Sequence, residues 1–209
     1  MLITNLRLER QDRLVFKCLN LQSSAKRLAL IGPTGAGKSS LLLALQGLLS
    51  PSHGGLELEG VPGLLFQNAD QQLIFPTVLE ELCFGARQRG EEDYEERARE
   101  LAQAHGAGHL VDLATHELSE GQKQLVCLLA VLTDNPAVLL LDEPCSGLDH
   151  RLTAQLMNTL LALPQRLIMA THRLELIERF EEAIWIENGE LHMQGPANKV
   201  VNAYAASGH

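Results

Sequence analysis

Residues 32–39 read Gly-Pro-Thr-Gly-Ala-Gly-Lys-Ser, "GPTGAGKS", directly after the apolar run "RLALI" (27–31) and before "LLLALQGLL" (41–49). A strand, a glycine loop and a helix in that order make up the phosphate-binding loop pattern in its structural context. Gly32, Gly35 and Gly37 let successive backbone N–H groups curl around phosphate oxygens without side-chain clash, and the following helix presents its positive end. Lys38 is the group that reaches the β and γ phosphates, and the Ser39 hydroxyl is placed to ligate Mg²⁺. Pro33, Thr34, Ala36 and Ser40 complete the nucleotide-binding stretch. The helix is expected to run to Ser50-Pro51, with "SHGG" (52–55) forming a turn.

Composition narrows the partners. The 209 residues carry a formal net charge of −9, with 45% hydrophobic, 21% charged and only 4% aromatic residues. That is an ordinary globular composition, large enough for one generous domain. The acidic balance argues against nucleic acid, which needs clustered Lys and Arg to displace counterions. Cys18, Cys83, Cys127 and Cys145 show no CxxC or metal-finger spacing and read as free thiols of a reducing compartment. The opening "MLITNLRLER" lacks the apolar core of a signal peptide, and the longest apolar stretch, Leu125 to Leu132, is broken by "TDNP" well short of the ~20 residues of a membrane span. Work at a membrane would therefore go through partners.

Outward from the loop, "LITNLRL" (2–8) and "RLVFKCLNL" (13–21) predict an antiparallel start. Two short strand candidates surround "GVPG" (60–63), the second being "LLF" (64–66). Residues 77–117 read as a separate helical segment: "TVLEELCFG" (77–85) is one helix and "EEDYEERARELAQAH" (91–105) a second, solvated one with Asp93–Arg97 and Glu95–Arg99 pairs four apart. From residue 118 onward a helix, the strand "AVLLLD" (137–142), a helix around 153–163, the strand "RLIMAT" (166–171), a short helix and a hairpin at Asn188-Gly189 follow. Apolar strands alternating with helices predict an α/β fold with a parallel sheet covered on both faces.

Two further stretches carry chemistry. In "VLLLDEP" (138–144) an apolar strand delivers Asp142 to the carboxyl edge of the sheet, where it can hold the Mg²⁺ shell opposite Lys38; Glu143 can orient or deprotonate an attacking water. In "HELSEGQKQ" (116–124), Ser119 and Gln122 stand at capping-box spacing ahead of the apolar run "LVCLLAVL".

The phosphate loop, "LSEGQ", "DEP", "SGLD" and "ATH", in that order, resemble the ATP-binding cassette (ABC) family of ATPases across essentially the whole chain. The resemblance implies a P-loop NTPase fold of the ABC type: a mixed sheet core with helices on both faces, an N-terminal antiparallel β part and a small helical subdomain. A single domain, 1–209, is expected, with 1–76 and 118–209 as catalytic core and 77–117 as the subdomain. "LSEGQ" (Leu118, Ser119, Glu120, Gly121, Gln122) looks like the family signature, differing from the common Leu-Ser-Gly-Gly-Gln at Glu120. The resemblance implies that it covers ATP held by the phosphate loop of a second ATPase subunit, a second copy or a related chain. It also implies that Gln67 senses Mg²⁺ and the attacking water, that Ser146, Gly147, Leu148 and Asp149 cross the subunit interface, and that His172 contacts the γ phosphate beside Glu143. The cofactors implied are ATP and Mg²⁺.

The resemblance further implies an aromatic residue stacking on adenine in the first hairpin. Arg10 or a neighbour stands there instead, implying guanidinium stacking or loose base selectivity. The stretch before Gln67 is shorter than usual, and Leu125 stands where an Arg often follows the signature. "FQNADQQLIFPTVLEELCFG" (66–85) resembles the ATPase subunits of energy-coupling factor importers of cobalt, nickel and vitamins. That implies a transmembrane coupling subunit and a substrate-capture membrane protein as partners, and a place on the cytoplasmic face of the membrane. Ile74, Phe75 and Val78 either line the groove for the coupling helices or join the helical core.

Overall fold

A computed structural model of the protein describes residues 1–208. In chain order the elements are β1 (Leu2–Arg10), β2 (Arg13–Gln22), β3 (Arg27–Ile31), α1 (Lys38–Leu45), β4 (His53–Glu57), β5 (Pro62–Leu65), α2 (Val78–Gln88), α3 (Tyr94–Ala104), α4 (Glu120–Thr133), β6 (Val138–Asp142), α5 (His150–Ala162), β7 (Arg166–Ala170), β8 (Glu182–Glu187), β9 (Glu190–Pro196) and α6 (Ala197–Ala206). They fall into two compact units, one of residues 1–64, 137–143 and 165–208, the other of residues 65–136 and 144–164. The stretch 77–117 lies wholly in the second unit, together with 65–76, α4 and α5.

The first unit holds a six-stranded sheet of order β5-β6-β7-β3-β8-β9. β3 pairs in parallel with β7 and β8, and β6 in parallel with β7. Every residue of β3 and the first four of β6 are buried, which explains why these strands read as continuous apolar runs rather than alternating ones. β9 joins antiparallel to β8 through the expected hairpin, in which Asn188 and Gly189 take φ of 51° and 74°, as a primed turn requires. The sheet is therefore mixed. α1 packs on β6 and β7, and α6 on β8 and β9. The parallel strands end together, so the residues following β3, β6 and β7 meet at one edge of the sheet.

A second sheet, β2-β1-β4, is antiparallel. Ile3, Leu6, Leu8, Phe16 and Leu19 are buried along it. "SHGG" is not a turn: His53, Gly54 and Gly55 belong to β4, with Thr4 opposite Gly55 and Arg7 opposite His53. The register shift between those pairs is a bulge, and a β-carbon on Gly54 (φ 86°) would lie 2.3 Å from the Asn5 carbonyl oxygen. The glycine serves close approach of two strands rather than reversal of the chain. α1 also ends earlier than expected, because the chain folds back after Leu45 and the N–H groups of Leu48 and Leu49 both donate to the Leu43 carbonyl. β5 spans 62–65, so Phe66 lies beyond it.

In the second unit α2 packs against α4 and α3. Thr77 starts α2 with a capping box, accepting from the Glu80 N–H at 3.3 Å while the Glu80 carboxylate accepts from the Thr77 N–H at 3.2 Å. α3 begins at Tyr94, because Asp93 before it takes a left-handed φ of 56°. The expected Asp93–Arg97 and Glu95–Arg99 pairs are replaced by Arg97–Glu91 and Arg99–Asp112. A residue outside the helix cannot keep i, i+4 geometry, and loop carboxylates compete for both guanidinium groups. Val78 is 1% exposed and joins the helical core, whereas Ile74 is 67% exposed. Phe75 stacks on Phe84 with ring centroids 4.9 Å apart. The buried Glu81 carboxylate accepts from the N–H groups of Ile74 and Phe75 at 2.8 and 2.9 Å, fixing that segment.

None of the four cysteines forms a disulfide; Cys18 is exposed and Cys83, Cys127 and Cys145 are buried. Burial pushes the Cys127 thiol up to about 12 and raises that of Cys83 as well. A pKa of about 12 leaves roughly one Cys127 in ten thousand as the reactive thiolate at pH 8. Mass spectrometry after brief alkylation of the folded protein at pH 8 should show Cys18 alone modified, and all four cysteines modified in denaturant.

Candidate active site

The first unit brings five of the expected site residues together. The loop from Gly32 leads into α1, whose N-terminal neighbour Gly37 makes no side-chain cap. The first N–H groups of the helix are thus left for an anion. Lys38 is 8% exposed, and its ammonium donates to the carbonyl oxygens of Gly32 and Pro33 at 2.7 and 3.0 Å. Burial lowers its pKa, opposed by the nearby carboxylates of Glu143 and Asp142. A buried ammonium folded back on its own loop has donors to offer phosphate oxygens once they arrive.

The Ser39 hydroxyl donates to Asp142 Oδ1 at 2.9 Å. Burial raises the Asp142 carboxyl above its ordinary value; the Ser39 hydrogen bond opposes this, Glu143 adds to it, and Lys38 and Arg10 oppose it. A hydroxyl and a carboxylate oxygen side by side at the phosphate loop are hard donors of the kind Mg²⁺ takes alongside phosphate and water. The residues present fit that ion.

Glu143 follows β6 with φ 47°, a left-handed conformation that a non-glycine residue holds only where its surroundings enforce it. Its N–H donates to the Ala170 carbonyl at 2.9 Å, which fixes the turn. The side chain is 13% exposed, with Oε1 2.9 Å from His172 Nδ1. Oε2 accepts from the Thr171 hydroxyl at 3.2 Å. Thr171 is fully buried; its N–H donates to the Leu30 carbonyl, and its hydroxyl accepts from the Arg173 N–H. Thr171 is a positioning residue that the sequence reading passed over within "ATH". Its signal was a hydroxyl immediately before a candidate histidine at the end of an apolar strand. His172 is 64% exposed and free to meet a ligand.

The second unit holds expected residues 67, 118–122 and 146–149. Gln67 donates to the Ser146 hydroxyl at 3.4 Å, and these two share a polar depression with Asn68, Asp70, Gln71, Glu120 and Gly147. Lys123 closes an ion pair with Asp70 at 2.6 Å. Ser119 precedes α4, and Gln122 Oε1 accepts from the Ser119 N–H at 2.8 Å, the Gln half of the expected capping box. The Ser119 hydroxyl makes no capping hydrogen bond and is exposed, as is Glu120. Leu118 is buried and anchors the segment. Gly121 faces Leu152, whose side chain would lie 2.8 Å from a β-carbon there. Asp149 caps α5 by accepting from the Leu152 N–H at 2.8 Å, so this acid has a structural use, whereas Ser146 and Gly147 have the polar environment just described.

No helix among the described residues is long and apolar enough to cross a membrane, and no group of three or more His, Cys, Asp or Glu is arranged to hold a metal.

Comparison with known proteins agrees with this geometry. Residues 19–146 match the ABC transporter family. The chain is 34% identical to the biotin transport ATP-binding protein BioM of Rhodobacter capsulatus, over 98% of this chain and 94% of that one. It is 35% identical to the energy-coupling factor transporter ATP-binding protein EcfA of Methanothermobacter thermautotrophicus, over 81% of this chain and 61% of that protein. The solved structure of CbiO1 from Clostridium perfringens, part of the ABC transporter complex CbiONQ, superposes with a TM-score of 0.83 at 27% identity, covering 98% of this chain and 91% of that one. With the phosphate loop, the Ser39–Asp142 pair and the strained Glu143 of the first unit, these likenesses establish that the chain belongs to the ABC transporter family and is one of its ATP-binding, ATP-hydrolysing subunits.

Proposed function

We propose that this chain is the motor subunit of an energy-coupling factor importer for a vitamin or transition metal ion, working at the cytoplasmic face of the membrane. The observation that carries the reading is the Glu143 carboxylate, held by Thr171 and His172 beside the Lys38 loop. The likeness to BioM and EcfA supports the importer class.

Lys38 and the N–H groups from Gly32 to Ser40 bind and orient the triphosphate. Ser39 and Asp142 would hold Mg²⁺, which when bound would neutralise phosphate charge. Glu143 takes a proton from the attacking water, Thr171 keeps its carboxylate aimed, and His172 contacts the γ phosphate. Gln67 senses the metal and water. Leu118 to Gln122 offer the exposed Ser119 hydroxyl and the start of α4 to nucleotide held by a second ATPase subunit, with Ser146 to Asp149 crossing between the two. One chain carries both half-sites, so a homodimer has two complete sites. The exposed Ile74, with Phe75 and Phe84 beside it, meets the transmembrane coupling subunit, and a separate membrane protein captures the substrate.

Tagging the chain in its native host and identifying everything that copurifies in mild detergent tests this. Two different integral membrane proteins alongside this ATPase alone are the expected result. An active ATPase that brings down no membrane protein would overturn the importer reading and favour a soluble cassette.

A further inference from the structure

The loop that carries Gln67 is gripped by three side chains of α4 that have no part in the chemistry above. Gln124, 3% exposed, donates its amide to the Phe66 carbonyl at 3.4 Å. The buried Cys127 thiol donates to the Ala69 carbonyl at 3.7 Å. Lys123 reaches Asp70 at 2.6 Å, and its side chain is 18% exposed against 61% for that of Asp70. Residues 123 and 127 are one helical turn apart and 124 adjoins 123, so one side of α4 holds residues 66, 69 and 70 together. Asn68 stiffens the loop from within, its side chain accepting from the Asp70 N–H at 2.9 Å.

The same helix starts at Ser119, and its first turn is tied to Lys123, whose N–H donates to the Ser119 carbonyl at 2.9 Å. The Gln67 amide meets the Ser146 hydroxyl across 3.4 Å, at the long end of a hydrogen bond. The position of Gln67 relative to Ser119 is therefore set by what holds its neighbours. Of the three grips, two are long contacts between neutral groups and one joins an ammonium to a carboxylate. Charge-assisted bonds are the stronger kind. The largely covered stem of Lys123 also leaves that side chain less freedom to lose than a fully exposed pair would surrender.

We propose that the Lys123–Asp70 ion pair is a latch that keeps Gln67 at a fixed distance from Ser119, which makes Lys123 and Asp70 positioning residues for ATP hydrolysis. The inference rests on the reading of Gln67 as the sensor of metal and water and of Ser119 as a contact to nucleotide on a second subunit. The latch acts on the step that needs Gln67 aligned, the attack of water, and not on capture of ATP by the phosphate loop.

The test is steady-state phosphate release, together with equilibrium binding of a nonhydrolysable ATP analogue with Mg²⁺. Both are measured on the full-length wild type, Asp70→Ala, Lys123→Met, the double variant and Lys123→Arg, with Gln67→Ala as reference. Asp70→Ala and Lys123→Met should each lower kcat about three- to fivefold, the size expected of a partly exposed ion pair, while the analogue's Kd stays within about twofold. The double variant should be no slower than either single one, because each removes the same bond. Lys123→Arg keeps the charge and can pair with the carboxylate, so its kcat should stay within about twofold of the wild type. Single variants at the wild-type kcat, losses that multiply in the double variant, or a slow Lys123→Arg would overturn the proposal. So would an affinity that falls as far as kcat, which is what a merely structural role produces. A Gln67→Ala variant as fast as the wild type would overturn the sensor reading itself, and the latch with it. A slow Gln67→Ala beside unaffected latch variants would overturn the latch alone.

Discussion

Glu143→Gln should lower the rate of ATP hydrolysis by about 10²- to 10⁴-fold while ATP still binds, the range expected when a positioned general base is lost. Glutamine has the shape of glutamate and can still accept from the Thr171 hydroxyl, so the turn after β6 and the contact at 3.2 Å should persist. What disappears is the capacity to take a proton. The side chain is almost enclosed, and the residue sits at a left-handed φ of 47° fixed by its N–H bond to Ala170, so little room remains for another group to substitute. Steady-state phosphate release, measured with equilibrium nucleotide binding on the same preparation, separates the two effects. A variant that hydrolyses at the wild-type rate would remove Glu143 from the reaction and leave its strained backbone without a catalytic use.

Gly32→Ala should be the most damaging small substitution to folding. At φ 143° the residue occupies a conformation that side chains rarely adopt, and a β-carbon there would lie 2.0 Å from the Ile186 carbonyl oxygen. That oxygen belongs to β8, whose Trp185 pairs with Ile31 at the end of β3, so relief requires moving backbone of the central sheet. We expect a loss of about 3–5 kcal/mol, a large share of the ~5–15 kcal/mol typical of a domain. Urea denaturation followed by circular dichroism should show the midpoint falling sharply. Gly35→Ala, where no atom lies within 4 Å of an added β-carbon, faces only the strain of its φ of 84° and should lose less. Equal losses at the two positions would show that backbone conformation, not the Ile186 contact, sets the demand for glycine.

The phosphate loop, "LSEGQ" and "DEP" were legible because their chemistry lies in contiguous residues. Eight consecutive positions suffice to wrap a phosphate, and an apolar strand ending in two acids carries its own address in a parallel sheet. The all-apolar β3, β6 and β7 were legible for a related reason, since burial on both faces leaves no alternation to misread. "SHGG" was misread because glycine marks turns and bulges alike, and only the pairing of β4 with β1 tells them apart. The charge pairs of α3 failed because Glu91 and Asp112, outside the helix, win Arg97 and Arg99.

By itself, then, the sequence determined that this is a phosphate-binding α/β cassette, and it named Lys38, Ser39, Asp142, Glu143 and His172 as candidates. It could do so because local backbone geometry and residue type are properties of short segments. Only the tertiary structure decided that Ser39 meets Asp142 across 103 positions, that buried Thr171 joins His172 on Glu143, and that the Arg10 hairpin rests on Gly37. Those contacts depend on which strands become neighbours, and that is settled by the packing of the whole sheet, with β7 lying between β3 and β6.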